Sequence, residues 1–352
     1  MALSYAEIQA RALQYLQATT TKYTDAQLEP WIEDELTRMS KYAPHIVEIR
    51  FKVESRKGVA TATLASNLVD TTKGQFIASD HTLEKVVHNI TDDTWGIVLA
   101  YVDADTLTLG SDIFVVNDVY EIYNRHCRNK REIYIGDMPR YLWIDSVQYP
   151  IGTERNFVVR DDVLELDVED DAIQDSDSTL DPLSQVDVLI RFAFPHVLPN
   201  LTDWTGAVST AVVAAATAMS IDAMAGAETI KTGVHFFIED HHTDYVVAND
   251  ATLSASAGII TFYPGLEKVA ANDKIVTFRK STLQPQHEEI LTRMVAHRAV
   301  ASDTLNYINK ANVGGANTWA DYMQWKRDLD MSIQRDLVKL AKPKAYKELP
   351  RT

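Results

Sequence analysis

The chain has 352 residues, more than one hydrophobic core ordinarily organises, so two or three structural units are expected. Its 46% apolar and 24% charged residues exclude wholesale disorder, and no apolar stretch approaches the ~20 residues of a membrane span. The net charge of −16 is uneven: residues 1–50 hold 5 basic against 7 acidic side chains and residues 281–352 hold 11 against 8, so the excess acid lies in 51–280.

In chain order, Ser4 with Glu7 matches a capping box, and Tyr5, Ile8, Ala12, Tyr15 and Leu16 recur at helical spacing through about residue 17. A second helix begins between Thr24 and Pro30. Either Thr24 with Gln27 caps it, or Pro30 is its first helical residue. Trp31, Glu35, Leu36 and Met39 continue the period until Pro44.

From Gly58 to Tyr123 short runs rich in Val, Ile, Thr and Tyr are punctuated by Asn, Asp and Gly. Residues 86–90, 95–101, 106–109 and 119–123 read as strands of a small barrel or sandwich over 57–125. Strand-like runs at 141–144, 157–159, 163–168 and 186–192 make 126–205 a central β part of the core, carrying an acidic loop. Residues 206–280 repeat the β style at 234–238, 245–247, 259–262 and 275–278. The Ala/Val/Thr run Val208–Ala218 fits strand or helix.

Pro285 opens a helix in which Ile290, Leu291, Met294, Arg298, Ala301, Leu305 and Ile308 hold one register, and Asn312-Val313-Gly314-Gly315 breaks it. Another follows from about Thr318, with Trp319, Tyr322, Met323, Leu329, Ile333, Leu337 and Leu340, and ends at Pro343. Each terminal stripe needs a partner. The predicted fold is therefore α+β: a helical bundle of both chain ends, 1–56 and 281–342, with a central β patch over 126–205. Two small β domains (barrel or sandwich), 57–125 and 206–280, are inserted into it, and 343–352 forms an extended tail.

Motifs for chemistry are absent. There is no GxxxxGK[ST], GxGxxG, HExxH or GxSxG, so no catalytic residue and no cofactor are expected. The opening residues lack a basic stretch followed by an apolar one, so no secretory leader is expected. The single cysteine, Cys127, excludes a disulfide framework and a multi-cysteine metal site. It stands among Arg125, His126, Arg128, Lys130 and Arg131, neighbours that can lower a thiol pKa, but adjacency supplies no general base, and a linker is expected there. His241 and His242 are adjacent and would point to opposite faces of a strand, so an exposed turn is expected and no metal ligand is assigned. His126 and His297 have no spaced partner.

The local anomaly is acidic: eleven carboxylates and no Lys or Arg between Asp161 and Asp187. Asp175, Asp177, Thr179 and Asp181 match the first four ligand positions of a calcium loop. Leu180 stands where the turn glycine belongs, however, and Val186 where the bidentate Glu belongs. A solvated, self-repelling loop is the simpler reading. Residues 337–352 show the opposite bias, five basic against one acidic, with Tyr346 and Leu349 interleaved as apolar anchors that can order on a partner.

The pattern Leu28…Trp31-Ile32…Leu36…Met39-Ser40…Tyr42-Ala43-Pro44 resembles the opening helices of head–tail connector (adaptor) proteins of tailed bacteriophages. So does the stretch from His287-Glu288-Glu289-Ile290-Leu291 through Ala299 and Ala301 to Asn309 and Asn312-Val313-Gly314-Gly315-Ala316, then Trp325 and Leu329. Trp143…Val147-Gln148-Tyr149-Pro150 and Phe192…Pro195-His196-Val197-Leu198 look like the β portion of larger members. The β insertions depart from the small all-helical members. The resemblance implies a structural virion protein without catalytic residues, commonly a ring of twelve copies beneath the portal. Its partners would be the portal, tail or tail-completion proteins and double-stranded DNA passing without specific binding. Its place would be the virion neck, after assembly in the host cytoplasm, with no membrane contact.

On that footing Lys344, Tyr346, Lys347, Leu349 and Arg351 are expected to touch the portal. Asp161, Asp162, Glu169, Asp170, Asp171, Asp175 and Asp177 are expected to line the channel. Two other classes compete: a tail, baseplate or cell-surface binding module using the β insertions, and a hydrolase using carboxylates of the acidic run.

Overall fold

The computed structural model describes residues 3–16, 23–54, 56–138, 141–169, 173, 187–214, 216–308 and 316–341. The described residues are mixed α+β and mostly β, with five helices among them: α1 (Tyr5–Tyr15), α2 (Asp25–Ser40), α3 (Ser79–Thr82), α4 (Pro285–Ile308) and α5 (Ala316–Leu340). The chain divides into two compact units. The first comprises Met1–Val47, Pro139–Trp143 and Ala193–Thr352, and the second Glu48–Met138 and Ile144–Phe192. This division departs from the expected boundaries. The 206–280 segment groups with the helices, and the central strands through Phe192 group with 57–125.

In the first unit the local signals act as written. Glu7 N–H donates to Ser4 Oγ at 3.4 Å and Ser4 N–H donates to Glu7 Oε2 at 2.7 Å, so two otherwise orphaned donors start α1. Thr24 N–H donates to Gln27 Oε1 at 3.1 Å and starts α2 at Asp25, which decides between the two candidate starts. Pro30 therefore lies inside the helix, a place where its ring removes one helical hydrogen bond. α1, α2 and α5 each pack against α4, and one buried apolar cluster draws on all four helices. It holds Ile8 and Ala12 of α1, Leu28, Ile32 and Met39 of α2, Leu291, Met294 and Val295 of α4, and Leu329, Ile333 and Leu337 of α5.

The first unit also holds a closed six-stranded antiparallel barrel. Its strands run in the order Thr205–Val208, Ala218–Asp222, Gly258–Tyr263, Tyr245–Val247, His235–Ile238 and Ile275–Phe278. Only the two ends of the ambiguous Val208–Ala218 run are strand. Between them the described residues are irregular, with one bridge from Val212 to Ala270. The barrel interior is aromatic: the Phe236 ring lies 5.4 Å from Phe262, 5.5 Å from Tyr245 and 5.7 Å from Phe278.

The second unit carries a six-stranded antiparallel sheet in the order Lys57–Val59, Val119–Tyr123, Val86–Asn89, Thr94–Asp103, Thr106–Leu109 and Asn67–Val69. A three-stranded sheet of Phe157–Arg160, Val163–Leu166 and Glu132–Tyr134 stands beside it in the chain. Its interior is partly polar. Tyr120 OH donates to Asp70 Oδ2 at 2.6 Å and accepts from Gln75 Nε2 at 2.6 Å, all three buried. Gly58 passes so close that a Cβ there would lie 2.5 Å from the Tyr120 hydroxyl, which excludes any larger residue.

Four buried charges form a second polar knot. The Arg56 guanidinium donates to Glu54 at 2.8 and 2.9 Å and to Asp80 of α3 at 3.0 Å, while Lys85 joins both Glu54 and Asp80. Burial opposes ionisation of Glu54, but Lys85 and Arg56 hold its carboxyl below the usual range. A paired, buried quartet is close to neutral in net stability, whereas removing one member strands the others. Arg56→Met is therefore expected to destabilise by ~3–5 kcal/mol, read as a lowered urea midpoint. A midpoint equal to the parent's would refute the coupling.

Candidate functional site

Of the residues expected to line a channel, Asp161, Asp162 and Glu169 are described, and all three are exposed. Asp161 takes a left-handed φ of 53° in the turn joining Phe157–Arg160 to Val163–Leu166. The run is not purely self-repelling at this end, because Glu165 meets Arg131 at 3.4 Å and Arg160 at 3.5 Å. Asp170, Asp171, Asp175 and Asp177, with the calcium-like spacing, lie outside the described residues. So do Lys344, Tyr346, Lys347, Leu349 and Arg351.

Cys127 is 2% exposed, and its Sγ donates to the Arg125 carbonyl at 3.3 Å. Burial pushes the thiol upward, the reverse of the activation its basic neighbours would imply. His126 Nε2 lies 3.1 Å from Arg125 Nε, which occupies the nitrogen a general base would use. A cleft of about 510 Å³ opens here, lined by Val86, Trp95, His126, Cys127 and Arg128, with Trp95 stacked on His88 at 4.0 Å. No nucleophile–base pair forms in it.

His241 and His242 follow barrel strand His235–Ile238 in an irregular segment, where His242 is exposed and His241 is half-buried. His241 Nδ1 lies 2.7 Å from the Tyr245 hydroxyl, and the His242 amide donates to Glu267 at 2.8 Å. They share no ligand geometry.

Other histidines do converge, and sequence reasoning missed them. His45 stands at the start of strand His45–Lys52, His196 follows strand Asp187–Phe194, His235 opens its barrel strand and His287 lies in the first turn of α4. Their rings form a row: His235 to His45 at 4.6 Å, His45 to His196 at 6.1 Å and His196 to His287 at 5.3 Å. His235 is 1% exposed, and neither of its ring nitrogens has a hydrogen-bond partner. The same is true of Nε2 of His45 and His196 and Nδ1 of His287. Unpartnered buried nitrogens are costly, and so many in one place call for an explanation.

Asp244 completes the group. Its Oδ2 lies 3.3 Å from His235 Nδ1, without the alignment of a hydrogen bond, and 3.0 Å from Arg279 Nη2. Burial works against ionisation of Asp244, yet His235 and the Arg279 guanidinium hold its carboxyl below the usual range. One ligand atom each from His45, His235 and Asp244 lie within 4.8 Å of one another. Sequence reasoning did not find this grouping of two imidazoles and one carboxylate, because no spacing rule links positions 45, 235 and 244. No family model, no curated protein and no solved structure matches the chain.

The row also has a proton consequence. Burial lowers His45 to about 3, helped by His235 and His196 and opposed by Asp244, and lowers His196 to about 4, helped by His287. An ordinary histidine titrates near 6.5, so as pH falls the unfolded chain binds protons first. The stability is therefore complete above that value and is lost below it. About 1 kcal/mol per histidine is expected to disappear by about pH 5.5, measured by urea unfolding against neutral pH. His196→Gln should flatten that pH dependence, and an unchanged slope would reject the assignment.

Proposed function

We propose that the protein is a structural virion component, a ring-forming adaptor that links the portal of a tailed phage head to the tail and surrounds the DNA passage. The reading rests on the resemblance in the terminal helices and on one observation. Helices from the two chain ends share a single apolar cluster around α4, as a helical bundle built from both ends requires. The bundle is the ring-building core, and the β-rich segments are its outgrowths.

A ring needs a second apolar surface on each copy, one that the monomer does not use. α5 offers one. Leu329, Ile333 and Leu337 face the cluster, while Met331 and Val338, seven positions apart and so on one side, are 61% and 64% exposed. Met331→Asp together with Val338→Asp is expected to abolish ring formation, read by mass photometry or electron microscopy with and without portal. Circular dichroism of the variant should match the parent. Rings that persist would remove α5 from the interface.

The acidic residues fit the same role. Asp161, Asp162 and Glu169 are exposed, and repulsion of DNA phosphates acts over a Debye length of ~8 Å, so only side chains facing a lumen would matter. The basic, aromatic tail is the portal-binding element in this reading. Deleting residues 343–352 is expected to leave the thermal midpoint unchanged and weaken portal binding at least tenfold, since the anchors Tyr346 and Leu349 and their flanking charges go together. Full affinity in the deletion would sink the tail assignment.

A second reading, a receptor- or glycan-binding module, has one observation in its favour. Strand Thr94–Asp103 exposes Trp95, Ile97, Leu99 and Val102, an outward apolar row rarely left bare on a soluble sheet. Glycan binding without any ring would select it.

A further inference from the structure

We propose that His45, His235 and Asp244 form a binding site for one divalent transition-metal ion of the zinc class, held by two imidazoles and a carboxylate with a further position for water. All three residues belong to the first unit, and the inference is independent of the adaptor reading.

The chemistry of the donors favours this class. Imidazole suits zinc, cobalt, nickel and iron(II), while calcium and magnesium demand oxygen donors. The geometry is near what is needed. A tetrahedral ion with bonds of about 2.0–2.1 Å sets its ligand atoms about 3.4 Å apart. His235 Nδ1 and Asp244 Oδ2 already lie 3.3 Å apart, and one ligand atom from each of the three residues lies within 4.8 Å of the others, so small side-chain adjustments would bring them onto one ion. The His45 and His235 rings are nearly perpendicular, at 84°, so they are not engaged in face-to-face stacking.

Ring nitrogens supply the second, independent reason. Nε2 of His235 and Nε2 of His45 are both buried and without a hydrogen-bond partner. A polar atom of that kind costs stability unless something binds it, and a metal ion is a partner that satisfies imidazole lone pairs.

One group opposes the ion, and it sharpens the test. Arg279 places Nη2 3.0 Å from Asp244 Oδ2 and Nε 3.3 Å from Oδ1, so its positive charge sits beside the position the metal would take. Its side chain is 44% exposed and can withdraw into water, or it can keep one carboxylate oxygen while the ion takes the other. Removing that charge should favour the metal. The physical effect of binding would be to fasten His45, at the end of the segment leaving α2, to the barrel residues His235 and Asp244. The site would therefore be a structural clasp.

The test uses the full-length protein, stripped with chelator and titrated with Co²⁺ and with Zn²⁺. One ion per chain is expected, with visible d–d absorption from cobalt in a low-symmetry nitrogen–oxygen site, and Zn²⁺ should raise the thermal midpoint by mass action. His235→Gln and Asp244→Asn should each weaken binding about 100-fold or more, while Arg279→Gln should tighten it several-fold. His297→Gln, which alters a histidine in the interior of α4, should change nothing. If His235→Gln fails to fold, the half-buried His45→Gln carries the same expectation. Absence of stoichiometric binding by the parent chain, or equal affinity in the His45 and Asp244 variants, would overturn the proposal.

Discussion

The amide of Leu3 donates to the carboxylate of Glu288 at 2.6 Å, and this bond ties the beginning of the chain to the first turn of α4. Glu288 is 4% exposed, so its charge is held by the protein. The positive end of a helix dipole is where a carboxylate is best tolerated. Joining segments 285 residues apart costs on the order of 5 kcal/mol in loop entropy, which one hydrogen bond cannot offset. The apolar cluster does. α4 buries Ile290, Leu291, Met294, Val295, Ala296, Ala299 and Val300, a face wider than one stripe, because α1, α2 and α5 all pack against it. Two arginines of α4 then set register at the margins: Arg298 reaches Glu35 of α2 at 3.1 Å, and Arg293 reaches Asp336 of α5 at 2.8 Å.

The two β-rich regions reach stability by different chemistry. The barrel closes on itself, which leaves no strand edge to pair with another chain, and its centre is a nest of aromatic rings around Phe236. Its one buried phenol, Tyr245, accepts from the Glu267 amide at 3.2 Å and meets His241. The sheet of the second unit instead threads Tyr120, Asp70 and Gln75 through its core and keeps Arg56, Glu54, Asp80 and Lys85 out of water beside it. Such polar cores contribute less net free energy than apolar ones but penalise every misregistered alternative, since a shifted strand would strand a charge.

This difference marks what could be read from the sequence. The start of α1 was legible and that of α2 was narrowed to two candidates, because a cap is a local device: Ser4 with Glu7 and Thr24 with Gln27 act within four residues. Strands were legible as short β-branched runs, and Thr106–Leu109, Val119–Tyr123, Tyr245–Val247 and Ile275–Phe278 stand where alternation put them. Barrel closure was not legible, because it depends on Thr205–Val208 finding Ile275–Phe278 across some seventy residues, a pairing with no local mark. The grouping of the central strands with 57–125 was hidden for the same reason. Cys127 is the opposite case: its basic neighbours are adjacent in sequence, but burial governs its thiol.

The histidine row is the extreme case, since four single histidines at 45, 196, 235 and 287 carry no spacing signal at all. Only the fold brings them together, and it does so at a cost. A core selected for stability alone would fill such a place with Leu or Phe, as the barrel does one residue after His235, at Phe236. Retaining Asp244 and Arg279 against the row adds a charge pair whose value depends on its occupant. With Arg279 on the carboxylate, the imidazole nitrogens stay unpartnered and the pair is a modest, half-solvated salt bridge. With a cation on the imidazoles, the same carboxylate becomes a ligand and the arginine becomes dispensable. If the proposed ion binds, the two arrangements compete for one aspartate, so the arginine and the metal ion would be thermodynamically linked there. Whichever holds Asp244 also decides how firmly His45 is held to the barrel.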